Sequence, residues 1–335
     1  MKKLLIFFIC IFIYCNCNAQ DEAVKFELSA KKFLMGTEFE ITAVHTNIDS
    51  CKKAMYYAFK EVERIEKITS NYKDTTEISY VNRNAFNNPV KISSELFGII
   101  QRSIQYSDKY SGLFDITVGP LTDYWGFNSE HPIETEPDKN IIDSLLKFVG
   151  YKNIFLNLTD TAITFLKEGL KIDLGGIAKG YALDKASEVM RNKGVNNFLI
   201  NGGGDIYVSG RKSKDLKWKV AIKHPRDNEK LAATVELENT GVLTSGDYER
   251  YRIINGIRYH HIFNPKTGFP AMESQSASVI NYNCEEGVVL SKIYFILGKN
   301  GLKNLNEELP YFIIDRTGKN YYNNAINSYQ LKIIK

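Results

Sequence analysis

The stretch GVVLSKIYFILG, Gly287 to Gly298, constrains the fold of this chain more than any other. Read as a helix, it puts Val288, Val289, Phe295 and Ile296 three and four positions from Lys292. All four are apolar. A lysine in that company must snorkel to water or find a buried partner. Any fold for the chain has to house this apolar helix and find a place for its one cation.

The remaining periodicities supply the frame. Residues 26–46 alternate like two strands around an MGT turn. Residues 51–67 have helical spacing, with Ala54, Ala58, Val62 and Ile65 on one side. Residues 95–110 repeat that pattern until Ser111-Gly112 stops it. DLGGIAKGYALDKASEVMRNKG reads as a Gly-rich turn entering a helix that closes at Gly194, and NFLINGGGDIYVSG as strand, bend, strand. WKVAIKHP, ATVELENTGVLTSG and RYHHIFNPKTGFP add strands and turns. Strands outnumber helices but alternate with them in blocks. That pattern predicts an α+β fold in one compact domain, with a helical segment inserted around 90–145.

The first residues, MKKLLIFFICIFIYCNCNAQ, are set apart. Two lysines precede an apolar stretch from Leu4 to Tyr14, too short to span a bilayer, and small residues follow. This reads as a secretory leader, residues 1–19, cleaved after Ala19, with the domain at 20–335. Acylation at Cys15 or Cys17 is the competing reading, opposed by bulky Tyr14 and by Asn16. The mature chain keeps Cys51 and Cys284, too few for a disulfide framework. A net charge of +4, dispersed along 335 residues, does not argue for nucleic acid. The expected location is periplasmic or otherwise extracytoplasmic, soluble or lipid-tethered.

Several motifs carry chemistry. The turn DLGGIAKG places backbone amides at a helix start, where an anion is favoured. A tight strand-to-helix connection explains the same residues. It is neither a GxGxxG fingerprint nor a Walker A loop. NGGGD, Asn201 to Asp205, allows close approach of a flat ligand or another backbone; alone, it reads better as a β-bulge. His260 and His261 are adjacent in a strand, so their rings point to opposite faces and make poor joint metal ligands. GLFDITVGPLTDYWGF suggests a shaped pocket wall or a packed Ω-loop.

Taken together and in order, six stretches carry a resemblance. They are MGTEFEI at 35–41, SNYKDTTEISYVN at 70–82, GLFDITVGPLTDYWGF at 112–127, KIDLGGIAKGYALDKA at 171–186, NGGGDIYVSG at 201–210 and SGDYERYRIINGIRYHHIFNPKTGFPA at 245–271. The chain resembles the ApbE family, the FAD:protein FMN transferases, over nearly all of its mature length. The resemblance implies a T-fold-related α+β domain with mixed or antiparallel sheets and flanking helices. It implies an extracytoplasmic enzyme that binds FAD, splits its pyrophosphate and moves FMN to a Thr or Ser hydroxyl, releasing AMP. The implied acceptor is a flavoprotein subunit of a membrane redox complex.

Family roles fall on matching positions. Met35 and Tyr72 are expected at the flavin, and Phe114 and Asp115 in the FAD cleft beside a Trp125-Gly126 wall. Gly175 and the amides after it are expected at the pyrophosphate, and Asp173 and Asp184 to orient that motif or bind FAD. Ser245 and Ile262 are expected against the cofactor, and His261 is the expected catalytic histidine, with His260 facing away. Mg²⁺ is implied on the backbone carbonyl of Ala178.

Two departures stand out. Counting back from Gly298 puts the family's metal-binding Asp and Thr at Val288 and Lys292. Neither side chain can hold a cation. Asn264 stands where most relatives carry Asp. A carboxylate is lost and a fixed cation appears together, which suggests that Lys292 takes the metal's place against the pyrophosphate. The same change opens two alternatives: an FAD-binding protein without transferase activity, and an FAD pyrophosphatase.

Overall fold

Nine strands cross one antiparallel sheet in the order of the chain: Cys10–Ile13, Phe26–Leu34, Thr37–His45, Phe198–Gly202, Asp205–Ser209, Thr240–Gly246, Ser274–Asn281, Tyr311–Asp315 and Asn320–Tyr322. This computed structural model describes residues 10–13, 24–127, 133–305 and 309–334. Of the expected leader only Cys10–Ile13 is among them, beside Phe26–Leu34. Cys15, Cys17 and the cleavage point at Ala19 lie outside the described residues.

Because sheet order follows chain order, the other elements are excursions between neighbouring strands, apart from the final turn and strand after Tyr322. The longest runs from 46 to 197. It carries helices α1 (Ile48–Thr69), α2 (Glu77–Asn84), α3 (Ser94–Lys109), α4 (Gly119–Trp125), α5 (Lys139–Leu146) and α6 (Ala178–Asn192). It also holds a small sheet of Val90–Lys91, Ala162–Phe165 and Ile154–Asn157. The insertion is therefore larger than the 90–145 expected. Helix α7, Cys284–Gly301, is the last long excursion.

The sheet separates two cores. On one face Ile41, Leu243, Ala277 and Val279 meet Ala54, Ala58, Val62, Ala186, Val289 and Ile293 from the helices. On the other, Val208, Val242, Ile280 and Phe312 meet Trp218, Val220 and Val235 of a second sheet, ordered Lys332–Ile333, Leu231–Leu237, Trp218–Lys223. Sequence neighbours such as Val242 and Leu243 go to opposite layers, as the strand period of two demands. Ser274–Asn281 is buried at every position because both faces are covered.

The α1 periodicity is met, with Ala54, Ala58, Val62 and Ile65 all buried. Helix α7 is enclosed nearly all round, from Gly287 to Gly298, where a left-handed φ of 55° breaks it. It lies close to α6 because Gly180 has no side chain. A Cβ there would fall 2.2 Å from the Cys284 carbonyl oxygen and 2.7 Å from Val288. Cys51 and Cys284 are buried thiols that form no disulfide.

Candidate active site

At one end of the large sheet, strand ends and helix starts enclose a cleft of about 970 Å³. Its rim includes two neighbouring hairpin turns. Met35 and Gly36 form the first, both left-handed, with φ of 51° and 75°. Methionine at such a position stores strain, which proteins keep where it serves a site. Gly203 and Gly204 form the second, with φ of 70° and 97°. The expected β-bulge at NGGGD is thus a two-residue hairpin. A Cβ on Gly203 would sit 2.4 Å from Thr37 Oγ1, so this glycine lets the two hairpins press together.

The cleft gathers most of the expected residues. Met35, Tyr72, Phe114, Asp115 and Asp173 line it, as do Gly175 and Ala178 at the start of α6. Ser245, His261, Ile262 and Lys292 line it too. Helix α6 begins without a side-chain cap; the Ala178 amide is taken by the Leu174 carbonyl at 2.9 Å, which leaves the amides of the cleft-lining residues Gly176 and Lys179 for an anion. The Gly175 amide itself is already bonded to Asp173 Oδ1 at 2.8 Å. Asp173 therefore shapes the turn, and the anion-binding role passes to the amides beyond Gly175.

Other expectations are corrected. Asp184 does not line the cleft. Its carboxylate accepts the amides of Cys284 at 3.0 Å and Glu285 at 2.9 Å, capping α7 across 100 residues of sequence. Burial, partly offset by those bonds, raises its pKa. Asp115 borders the cleft, but its oxygens serve the loop: Oδ1 takes the Thr117 amide and hydroxyl, Oδ2 the Tyr151 amide. Trp125 is buried behind the wall, its indole bonded to the Gly268 carbonyl and stacked 5.8 Å from Phe127. Phe127 forms the wall instead. Asn264 organises its own turn, accepting the Lys266 amide at 3.0 Å.

The two histidines part as their alternation requires. His260 is buried, its Nε2 donating to the Ala271 carbonyl at 2.7 Å and its Nδ1 accepting the Ile262 amide. Burial pushes its pKa down to about 4. His261 opens on the cleft. Its Nδ1 lies 3.3 Å from the Arg250 carbonyl, which can only accept, so the ring proton sits on Nδ1. Nε2 keeps its lone pair. Burial first, then nearby Arg250, hold the ring well below the usual histidine range. A neutral, oriented imidazole is what a general base needs.

Sequence reasoning did not single out Lys179 and Asp205, although both stand inside quoted motifs. They form an ion pair at 3.0 Å, and the Thr244 amide donates to Asp205 at 3.0 Å. Lys292 is close enough to feel both charges. Burial lowers it to about 8, against the opposing pull of Asp205. Among the described residues its ammonium reaches one acceptor, the Val288 carbonyl, at 3.3 Å.

Among the described residues no three His, Cys, Asp or Glu side chains cluster to hold a metal. The donor set does not fit the divalent cation that the resemblance implies. Val288 is buried and has no donor side chain, Lys292 is itself a cation, and Asp205 is taken by Lys179. Of the ligand positions that the resemblance implies, only the Ala178 carbonyl remains.

Comparison with known proteins agrees with this geometry. Residues 35–313 match the ApbE family. The FAD:protein FMN transferase of Haemophilus influenzae is 28% identical over 98% of both chains, and that of Vibrio cholerae 25% over 98% of both. The crystal structure of the ApbE protein from Thermotoga maritima superposes with a TM-score of 0.85 at 29% identity, over 90% of this chain and 99% of that one. The flavin transferase ApbE from Vibrio cholerae reaches 0.80 at 23% identity over 92% and 100%, a likeness of fold.

Proposed function

The chain belongs to the ApbE family, and from that premise we propose that it transfers FMN from FAD to a Thr or Ser hydroxyl of an acceptor flavoprotein, releasing AMP. One observation carries the reading. The neutral His261 ring and the uncapped start of α6 face the same cleft.

The step balances without a covalent enzyme intermediate. The acceptor oxygen bonds to the FMN-side phosphorus. The bond from that phosphorus to the bridging oxygen breaks, and AMP leaves with the electron pair. The hydroxyl proton passes to His261 Nε2 and then to solvent. Such transfer depends on positioning and on neutralised charge more than on nucleophilic side chains. Met35 and Tyr72 at the mouth take the flavin end. The positive end of α6 takes the phosphates. Buried Ser245 and Ile262 exclude water behind them.

The leader and the family support a place outside the inner membrane, with or without a lipid anchor, and an acceptor subunit of a membrane redox complex. Among the described residues no helix is long and apolar enough to cross a membrane. Val288 and Lys292 at the metal positions favour a second reading, an FAD-binding protein without transfer. The mature chain should be incubated with FAD and an acceptor domain, with and without Mg²⁺. The proposal expects AMP and covalently flavinylated acceptor in equal amounts. AMP and free FMN with no adduct indicate a pyrophosphatase; bound FAD with no product indicates a carrier.

A further inference from the structure

We propose that Lys292 is the fixed cation of the diphosphate site, so that FAD is held there without a divalent metal. The inference rests on the FAD reading above and goes beyond it by naming what neutralises the phosphates. Lys32, Lys67, Lys73 and Lys179 also line the cleft, and each has a carboxylate oxygen within 4.0 Å. Lys292 has none among the described residues. Asp205 is near, but its carboxylate already serves Lys179 and the Thr244 amide.

An ammonium has three donors, and Val288 takes one. The others are left to the cleft. The Lys292 stem lies against the Gly-rich turn, its Cε 3.7 Å from where a Gly176 Cβ would stand. The free donors and the first turn of α6 therefore meet in one place. A half-buried cation without a counter-ion is costly. Beside a helix N-terminus it asks for an anion with oxygens enough for both. A diphosphate diester supplies that. A dication at the same point would face the ammonium, and neither Val288 nor Lys292 offers it a donor.

The test titrates flavins into the mature chain, following flavin fluorescence, in EDTA and in Mg²⁺. FAD probes the diphosphate and riboflavin, which lacks phosphate, is the control. Wild-type protein should bind FAD equally in both buffers. Lys292→Met keeps the apolar stem and should weaken FAD about 10- to 100-fold, with riboflavin unchanged. Lys292→Arg should restore most of the loss. The inference falls if wild-type affinity for FAD collapses in EDTA, a result that needs no variant. It also falls if Lys292→Met binds FAD as wild type does. Absence of FAD binding by wild type under any condition would instead sink the flavin reading itself.

Discussion

Helix α7 carries a buried carboxylate at its start and a half-buried lysine in its middle, and the fold treats them oppositely. Glu285, with a side chain 4% exposed, receives the Arg102 guanidinium through two bonds of 2.6 and 2.7 Å. Its own amide is capped by Asp184. Lys292, two turns on, has one carbonyl and an open cleft. The histidines repeat the contrast. His260 has both ring nitrogens bonded and His261 has one free. Interior charge that serves the fold is satisfied, so the group left unsatisfied beside a cleft marks the site.

The largest expected effect breaks the histidine half of this comparison. His261→Asn should slow flavin transfer by about 10²- to 10⁴-fold while FAD affinity changes little, measured by single-turnover release of AMP. His260→Asn should lose stability instead. Equal losses of rate in both variants would refute the assignment.

The charge half comes next. Arg102→Ala leaves Glu285 buried without its partner and should cost about 3 to 4 kcal/mol in urea unfolding. Glu285→Gln should cost less, because the Arg102 side chain is 40% exposed and can turn to water.

A pH effect follows from His260. Its folded pKa of about 4 lies below the unfolded 6.5, so the unfolded chain binds the extra proton. That stability is present above pH 6.5 and is lost as the pH falls toward 4, by up to about 3 kcal/mol. Between pH 7.5 and pH 4.5 wild type should lose about 2 to 3 kcal/mol more than His260→Gln does, since the variant keeps only the contribution of His261 and the carboxylates. The smallest effect concerns the strained hairpin. Met35→Gly should relieve a left-handed methionine and stabilise the fold by about 1 kcal/mol, while weakening FAD.

Local signals were legible in the sequence, and long-range ones were not. The period of α1, the Gly298 break in α7 and the opposed histidines follow from spacing within a few residues. Asp184 was misplaced because its partners stand 100 residues away on another helix. Trp125 and Asp115 belong to the right loop, but whether a side chain faces the cleft or braces it depends on packing against residues such as Gly268 and Tyr151. Gly203 reads as a bulge or a turn until its neighbour Thr37 is known. Lys292 was visible as an oddity from its apolar neighbours. Its lack of a carboxylate among the described residues is a fact of three dimensions, since Asp205 is near but engaged by Lys179.

The most direct measurement is a crystal structure of the FAD complex grown in EDTA. The diphosphate should lie between Lys292 Nζ and the first turn of α6, with His261 Nε2 turned toward the FMN-side phosphorus. A diphosphate bound elsewhere, or Lys292 turned away from it, would contradict the account.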